Sequence, residues 1–131
     1  MRKLVIPVWQ YANLNPQGKS VGDCTVRAIA IATGSAWDDT YLDLCLTGLL
    51  MADMPSSNAV TAAYLKKKGF IRHTIPEEFL EDYTVKDFCN DHPEGVYVIG
   101  IGTHMVCAID GNYYDAWDSG DELPVYYFSK K

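Results

Sequence analysis

The stretch GDCTVRAIAIATG constrains the fold more than any other part of the chain. Residues 25–33 are almost entirely apolar apart from Arg27, and a helix that is apolar on all sides has to be buried. Asp23 is suited to the N-cap, and Gly34 is suited to the position that ends a helix. The sequence therefore predicts a central, buried helix that carries Cys24 in its first turn.

The rest of the chain divides into a helical half and a β-rich half. A second helix is predicted from Ser35, a third over residues 58–68, and a short fourth after Thr84, each with a capping residue at its start. From GVYVIGIG onward, short runs of β-branched and aromatic residues separated by turn residues predict an antiparallel meander of three or four strands. A short edge strand is predicted over residues 3–8. This order predicts an α+β fold in which the helix of Cys24 packs on the C-terminal sheet.

Length and charge limit the classes of function. A chain of 131 residues with 48% hydrophobic and 21% charged residues is typical of one globular domain, residues 1–131. The net charge of −6 opposes a nucleic-acid backbone, so no nucleic-acid partner is expected. No apolar run approaches the ~20 residues of a membrane span and no signal peptide is recognisable, which predicts a cytoplasmic protein without a membrane partner.

Four scattered cysteines show no metal-ligand spacing. Cys45 and Cys89 lie on predicted helix faces and Cys107 alternates into a strand, where a thiol acts as a small hydrophobic group. Free thiols and no metal or other cofactor are therefore expected. Cys24 differs from the other three because the positive end of the helix dipole lowers the pKa of a thiol at a helix start.

A nucleophilic thiolate needs a nearby general base. His104 is the candidate because it begins the strand THMVCAIDG after the permissive Gly102, whereas His73 and His92 are expected in a loop and at a helix end. The sequence predicts that this strand brings His104 over the start of the Cys24 helix.

A third residue should hold the imidazole ring in the useful tautomer, and two aspartates of the following strand are candidates. With a two-residue Asp110-Gly111 turn, Asp115 shares the face of His104. With a loop one residue longer, His104 lies opposite Asp118. We favour the longer loop, which predicts Asp118 as the partner and leaves Asp115 as the alternative.

Amide-bond chemistry also requires donors for the developing oxyanion. The backbone N–H of Cys24 at the helix start is one. The second is predicted to be the side chain of Gln17, which lies in the preceding loop together with Asn13 and Asn15.

These residues in this order resemble the papain-like cysteine peptidases. The matching segments are GDCTVRAIAIATG around Cys24, GTHMVCAIDG around His104 and YDAWDS around Asp118. In its compactness the chain is similar to the bacteriocin-leader peptidases of the double-glycine type and to small phage-encoded relatives. The family's oxyanion glutamine commonly stands six residues before the cysteine, where this chain has Gly18. The resemblance implies a papain-like fold and a Cys-His-Asp triad that cleaves an amide bond through a thioester.

The predicted function is therefore that of a cysteine-dependent amide or peptide-bond hydrolase acting on a peptide or protein. Deamidation and transamidation would use the same groups. The alternative is a catalytically inactive papain-like module that binds a peptide or a host protein through an aromatic surface. A metal site made from Cys24, His104 and Asp118 is disfavoured because the three residues lack metal-ligand spacing.

Overall fold

A computed structural model describes residues 6–130 of the chain. A short 3₁₀ helix, Glu77–Phe79, precedes the last α-helix. The four α-helices are α1 (Cys24–Thr33), α2 (Trp37–Leu50), α3 (Asn58–Lys67) and α4 (Val85–Asp91). The six strands are β1 (Trp9–Tyr11), β2 (Phe70–Thr74), β3 (Val96–Ile101), β4 (His104–Ile109), β5 (Asn112–Asp115) and β6 (Pro124–Lys130). The prediction of an α+β fold is confirmed.

The strands form one mixed sheet in the order β1-β5-β4-β3-β6-β2. Five of the strands pair antiparallel, but β1 pairs parallel with β5 at one edge. The four predicted C-terminal strands, β3 to β6, are present and pair antiparallel, although β6 pairs with β3 rather than with β5. The prediction of three or four strands was incomplete. It missed β2, whose pattern is broken by Arg72 and His73, and it could not place β1, which joins the sheet across about a hundred residues of chain.

The edge strand was predicted too early in the sequence. Residues 6–8 are not in a strand, and the first strand of the described chain begins at Trp9. Residues 3–5 of the predicted strand lie outside the described residues.

The sheet separates two hydrophobic cores. On one face α1 packs with α2 and α3 against side chains that include Met105 and Cys107 of β4. On the other face α4 packs against a set that includes Val106 and Ala108. Helix α1 can approach the sheet closely because its own buried residues include the small Ala28.

Helix α1 begins and ends where the sequence predicts, and this fixes the position of Cys24. Gly34 adopts a left-handed conformation, φ 67°, and its N–H donates to the carbonyl groups of Ala30 and Ile31. Asp23 occupies the N-cap position, but its side chain makes no capping hydrogen bond. Its carboxylate is used in the network described below.

Helix α2 is buried along only one side, at Thr40, Leu44 and Gly48. It starts at Trp37 after Ala36, one residue later than a Ser35 cap would place it. Leu44 is buried, whereas four leucines are exposed on the outer surface of α2: Leu42, Leu46, Leu49 and Leu50.

Among residues 6–130, the helices are too short or too polar to cross a membrane.

Candidate active site

The structure brings together the thiol and the imidazole that the sequence analysis pairs. Cys24 is the first residue of α1, and His104 is the first residue of β4, the strand on which α1 packs. The two side chains line the same clefts and lie close enough for each to shift the pKa of the other. A contact between residues eighty positions apart in sequence therefore forms at the start of the central helix.

Asp115, rather than Asp118, is the carboxylate that contacts His104. The β4–β5 hairpin closes through a two-residue turn, with Ile109 opposite Asn112. Asp110 and Gly111 both have positive φ, 50° and 83°, as a type I′ turn requires. Because side chains alternate along a strand, this register puts Asp115 on the face of His104. His104 Nε2 lies 2.6 Å from Asp115 Oδ2.

The prediction that Asp118 would contact His104 is wrong because it assumed the longer loop. Asp118 is exposed beyond the end of β5. Its carboxylate accepts hydrogen bonds from the Tyr113 hydroxyl at 2.6 Å and from the Gly120 N–H at 3.1 Å. Its position is that of a residue that organises the turn after β5.

Four donors surround the Asp115 carboxylate, which is 3% exposed. In addition to His104, the Ser119 hydroxyl donates to Oδ2 at 2.7 Å, while the Ala116 N–H and Arg27 Nη1 donate to Oδ1 at 2.8 and 3.1 Å. Burial by itself would raise the pKa of Asp115, but the hydrogen bonds from His104, Ser119 and the Ala116 N–H, together with the charge of His104, outweigh it and lower the pKa. The group beside His104 is thus an ionised carboxylate held in one orientation.

Arg27 joins Asp115 to the start of α1. Its Nε donates to Asp23 Oδ1 at 2.9 Å while its Nη1 reaches Asp115. The other oxygen of Asp23 accepts from Trp37 Nε1 at 3.0 Å and from Asn15 Nδ2 at 3.3 Å. Arg27 was not among the predicted site residues. The available signal was a single charge in an otherwise apolar helix, four residues after an aspartate.

The hydrogen bonds at Cys24 and His104 favour a thiolate paired with an imidazolium. Burial opposes the charge on Cys24, but hydrogen bonds from His104, from the Met105 N–H and from Thr25, with the charge of His104, lower the thiol pKa. Burial also opposes the charge on His104, but Asp115 and Cys24 raise its pKa to about 9. By contrast, burial raises the pKa of Cys89 to about 12.

Two clefts meet at Cys24 and His104, and both residues line each cleft. The first cleft has a volume of about 440 Å³ and includes Asn13, Lys19 and Trp117 in its walls. The second has a volume of about 270 Å³ and is bounded by residues that include Thr25, Ser56, Asn58 and Tyr126. An extended chain laid across both clefts would pass over the thiol.

Trp117 covers the imidazole on the side of the first cleft. The ring centroids of His104 and Trp117 are 4.7 Å apart, and Trp117 is itself 43% exposed. A half-exposed indole over the ring limits the access of water to the His104–Asp115 pair.

Gln17 does not line the cleft in which it was expected. It lies in an exposed turn, and its N–H donates at 3.0 Å to Asn15 Oδ1, which also accepts from the Lys19 N–H at 3.3 Å. Asn15 therefore organises this loop from beneath and directs Gln17 outward. Asn13 does line the first cleft with Cys24. Its side-chain amide, held by a long 3.5 Å contact to the Lys19 carbonyl, is the loop amide best placed to assist the backbone N–H of Cys24.

The donor set of the site suits acid–base and nucleophilic chemistry. In the described part of the chain, no three side chains of histidine, cysteine, aspartate or glutamate are grouped so that they could hold a metal ion. An activated thiol, a proton-transferring imidazole, an orienting carboxylate and backbone donors at a helix start are the groups that acyl transfer requires.

Comparisons of this chain with protein-family models, with curated proteins and with solved structures find no match. The functional interpretation therefore depends on the geometry of the site itself.

Proposed function

We propose that this protein is a cysteine-dependent amide hydrolase, with a peptide or protein as substrate and a papain-like arrangement of its catalytic groups. Cys24 is the nucleophile, His104 the general acid and base, and Asp115 the residue that orients the imidazole. The observation that supports the proposal is the juxtaposition of the Cys24 thiol with His104, whose ring is hydrogen-bonded to the buried Asp115 carboxylate.

In the first step the Cys24 thiolate attacks the carbonyl carbon of the substrate amide and forms an S–C bond. The carbonyl oxygen becomes an oxyanion, which accepts hydrogen bonds from the Cys24 N–H and from the Asn13 side chain. The His104 imidazolium then gives its proton to the amide nitrogen, the C–N bond breaks and the amine leaves. A thioester between Cys24 and the acyl group remains.

In the second step water attacks the thioester while neutral His104 takes one of its protons. The S–C bond breaks, a carboxylic acid is released, and the thiolate–imidazolium pair forms again. Asp115 stays ionised throughout, since four donors hold it, and it keeps His104 Nε2–H directed away from the sulfur.

The test is the reactivity of the four thiols. At pH 6 iodoacetamide should alkylate Cys24 far faster than Cys45, Cys89 or Cys107, and the Cys24 adduct should be identified by mass spectrometry. The same preparation should release amine from a peptide mixture, and Cys24→Ser should release none. Equal, slow labelling of all four thiols would contradict the proposal.

A second candidate function, a binding module without catalysis, has one observation in its favour. The outward leucines of α2, at 42, 46, 49 and 50, are all more than half exposed. Such a surface is typical of protein–protein contact. Fast labelling of Cys24 without turnover of any peptide, amine acceptor or glutamine substrate would favour this function.

A further inference from the structure

Arg27 lies three residues after the nucleophile on the same helix. Cys24 is the first residue of α1, and side chains three positions apart on a helix are neighbours on one face. Helix α1 packs against β4 and β5, the strands that carry His104 and Asp115. Arg27 also lines the first cleft together with Cys24 and His104. One helical turn thus carries both the thiol and a guanidinium to the same pair of strands.

The guanidinium joins two buried carboxylates that come from different parts of the chain. Its Nε donates to Asp23 Oδ1 at 2.9 Å, and its Nη1 donates to Asp115 Oδ1 at 3.1 Å. Arg27, Asp23 and Asp115 are all less than a tenth exposed. Separate donors on one planar group can serve both acceptors at once, whereas the ammonium of a lysine is a single point charge. The arginine therefore fixes the carboxylate beside His104 to the helix of the nucleophile.

The same contact balances the charge of Asp115. Its Oδ1 faces Arg27, and its Oδ2 faces His104 Nε2 at 2.6 Å. A guanidinium stays charged throughout the pH range in which a protein acts, so the carboxylate always has one fixed cation beside it. Without that cation, the negative charge of Asp115 would act on His104 unopposed and hold the imidazole proton more tightly. Arg27 thus limits how strongly the imidazolium keeps the proton that it must give to the leaving amine.

The charged and titratable groups around Arg27 come from several parts of the chain. Besides its two carboxylate partners, those that share the first cleft with it are Tyr11, Lys19, Cys24 and His104. Lys19 is exposed, so solvent screens its charge. We propose that Arg27 is a positioning residue of the hydrolase, which holds Asp115 against His104 and sets the balance of charge between the imidazole and the thiol. This inference rests on the proposed hydrolase function.

The test separates the charge of Arg27 from its hydrogen bonds. Arg27→Gln removes a positive charge, which should raise the pKa of His104, measured by NMR, and move the pH profile of Cys24 alkylation by iodoacetamide upward by about 0.5–1.5 pH units. Arg27→Lys keeps the charge and should leave the profile within about 0.3 pH units of the wild type. Both variants should lose stability, because neither side chain can bridge the two carboxylates. A shift of equal size in both variants, or in neither, would overturn the inference.

A matched control and a second background complete the test. Lys86→Gln makes the same change of charge at an exposed ion pair, so its pH profile should match that of the wild type. If Arg27→Gln does not fold, the same substitution is compared with its parent in an Asp23→Asn background. There only Asp115 loses its cation, and three other donors still hold it. The same upward shift is expected, and its absence would overturn the inference. Loss of preferential Cys24 labelling in the wild type would instead contradict the hydrolase function.

Discussion

The histidines lie in two regions of the molecule and have different partners in each. The proposed catalytic site contains His104, which lies beside the buried Asp115 carboxylate. In another part of the molecule, beside the core that α4 covers, a larger cavity of about 610 Å³ is lined by His73, His92 and Tyr127. There His73 Nε2 meets the Ser129 hydroxyl at 2.8 Å.

The second region is built for packing. His73 stacks on Tyr127 with ring centroids 4.7 Å apart, and His92 stacks on Phe88 at 4.0 Å while its Nδ1 contacts the Phe88 carbonyl. The hydrogen bonds of His73 to the Ser129 hydroxyl and of His92 to the Phe88 carbonyl are made with uncharged groups. The ionised Asp115 carboxylate beside the ring, and not the volume of the adjoining cavity, therefore distinguishes His104 from His73 and His92.

Removal of the imidazole should give the largest difference between the two regions. His104→Ala should lower amide hydrolysis by about 10²- to 10⁴-fold, because the thiolate loses its partner and the leaving amine its acid. His73→Ala should leave hydrolysis within about twofold. Both are measured as amine release and as the rate of Cys24 alkylation at pH 6. A comparable loss in the His73 variant would remove the distinction.

The second-largest effect should be the loss of stability when Arg27 is replaced. Arg27→Met leaves two buried carboxylates, Asp23 and Asp115, without their shared cation, so the free energy of unfolding in urea should fall by about 3–5 kcal/mol. Lys86→Met breaks a solvent-exposed pair with Asp121 and should cost less than about 1 kcal/mol. If the two variants are equally stable, the buried network does not hold the site together.

The difference between the variants of Asp115 and Asp118 should be smaller. Asp115→Asn removes a charged acceptor from four buried donors and should cost about 1–3 kcal/mol of unfolding free energy. It should also lower the pKa of His104 from about 9, which can be measured by NMR of the ring protons. Asp118→Asn can still accept the Tyr113 hydroxyl and should leave that pKa unchanged. If the pKa of His104 instead shifted in the Asp118 variant and not in the Asp115 variant, the longer hairpin loop would be the correct one.

The stabilising effect of His104 should depend on pH. Its pKa is raised from 6.5 to about 9 in the folded protein, so the protonated ring stabilises the fold fully below about pH 6.5. This contribution is lost as the pH rises through about 9. The difference in unfolding free energy between wild type and His104→Gln should therefore shrink from pH 6 to pH 9.5. A difference that grows over this range would have the wrong sign.

Trp117 should give the smallest effect. Trp117→Ala exposes the imidazole and removes one aromatic contact, which should slow hydrolysis about two- to tenfold. Phe79→Ala, a similarly exposed aromatic residue at the larger cavity, should not change the rate. Equal rates in all three proteins would mean that Trp117 does not protect the ring.

The sequence is informative where local chemistry decides the structure. The apolar pattern after Cys24 gives α1, and Thr84 with Asp87 gives the capping box of α4. Glycine at position 34 gives the end of α1. Each of these features depends on residues within one or two helical turns of one another.

Long-range geometry is the part that the sequence could not provide. A difference of one residue in the hairpin loop exchanged Asp115 for Asp118, because both turns are compatible with Asp110-Gly111. The parallel pairing of β1 depends on a strand a hundred residues away. The role of Gln17 depended on a loop whose direction is set by the buried Asn15.

The contact between Cys24 and His104 has a consequence for the newly made protein. During synthesis the ribosome adds some eighty further residues after the cysteine before the histidine exists, and Asp115 follows later still. Until the β-rich half has folded, the thiol has an ordinary acidity and no proton acceptor. The Cys24 thiol therefore acquires its lowered pKa late, only when β4 has folded against the start of α1.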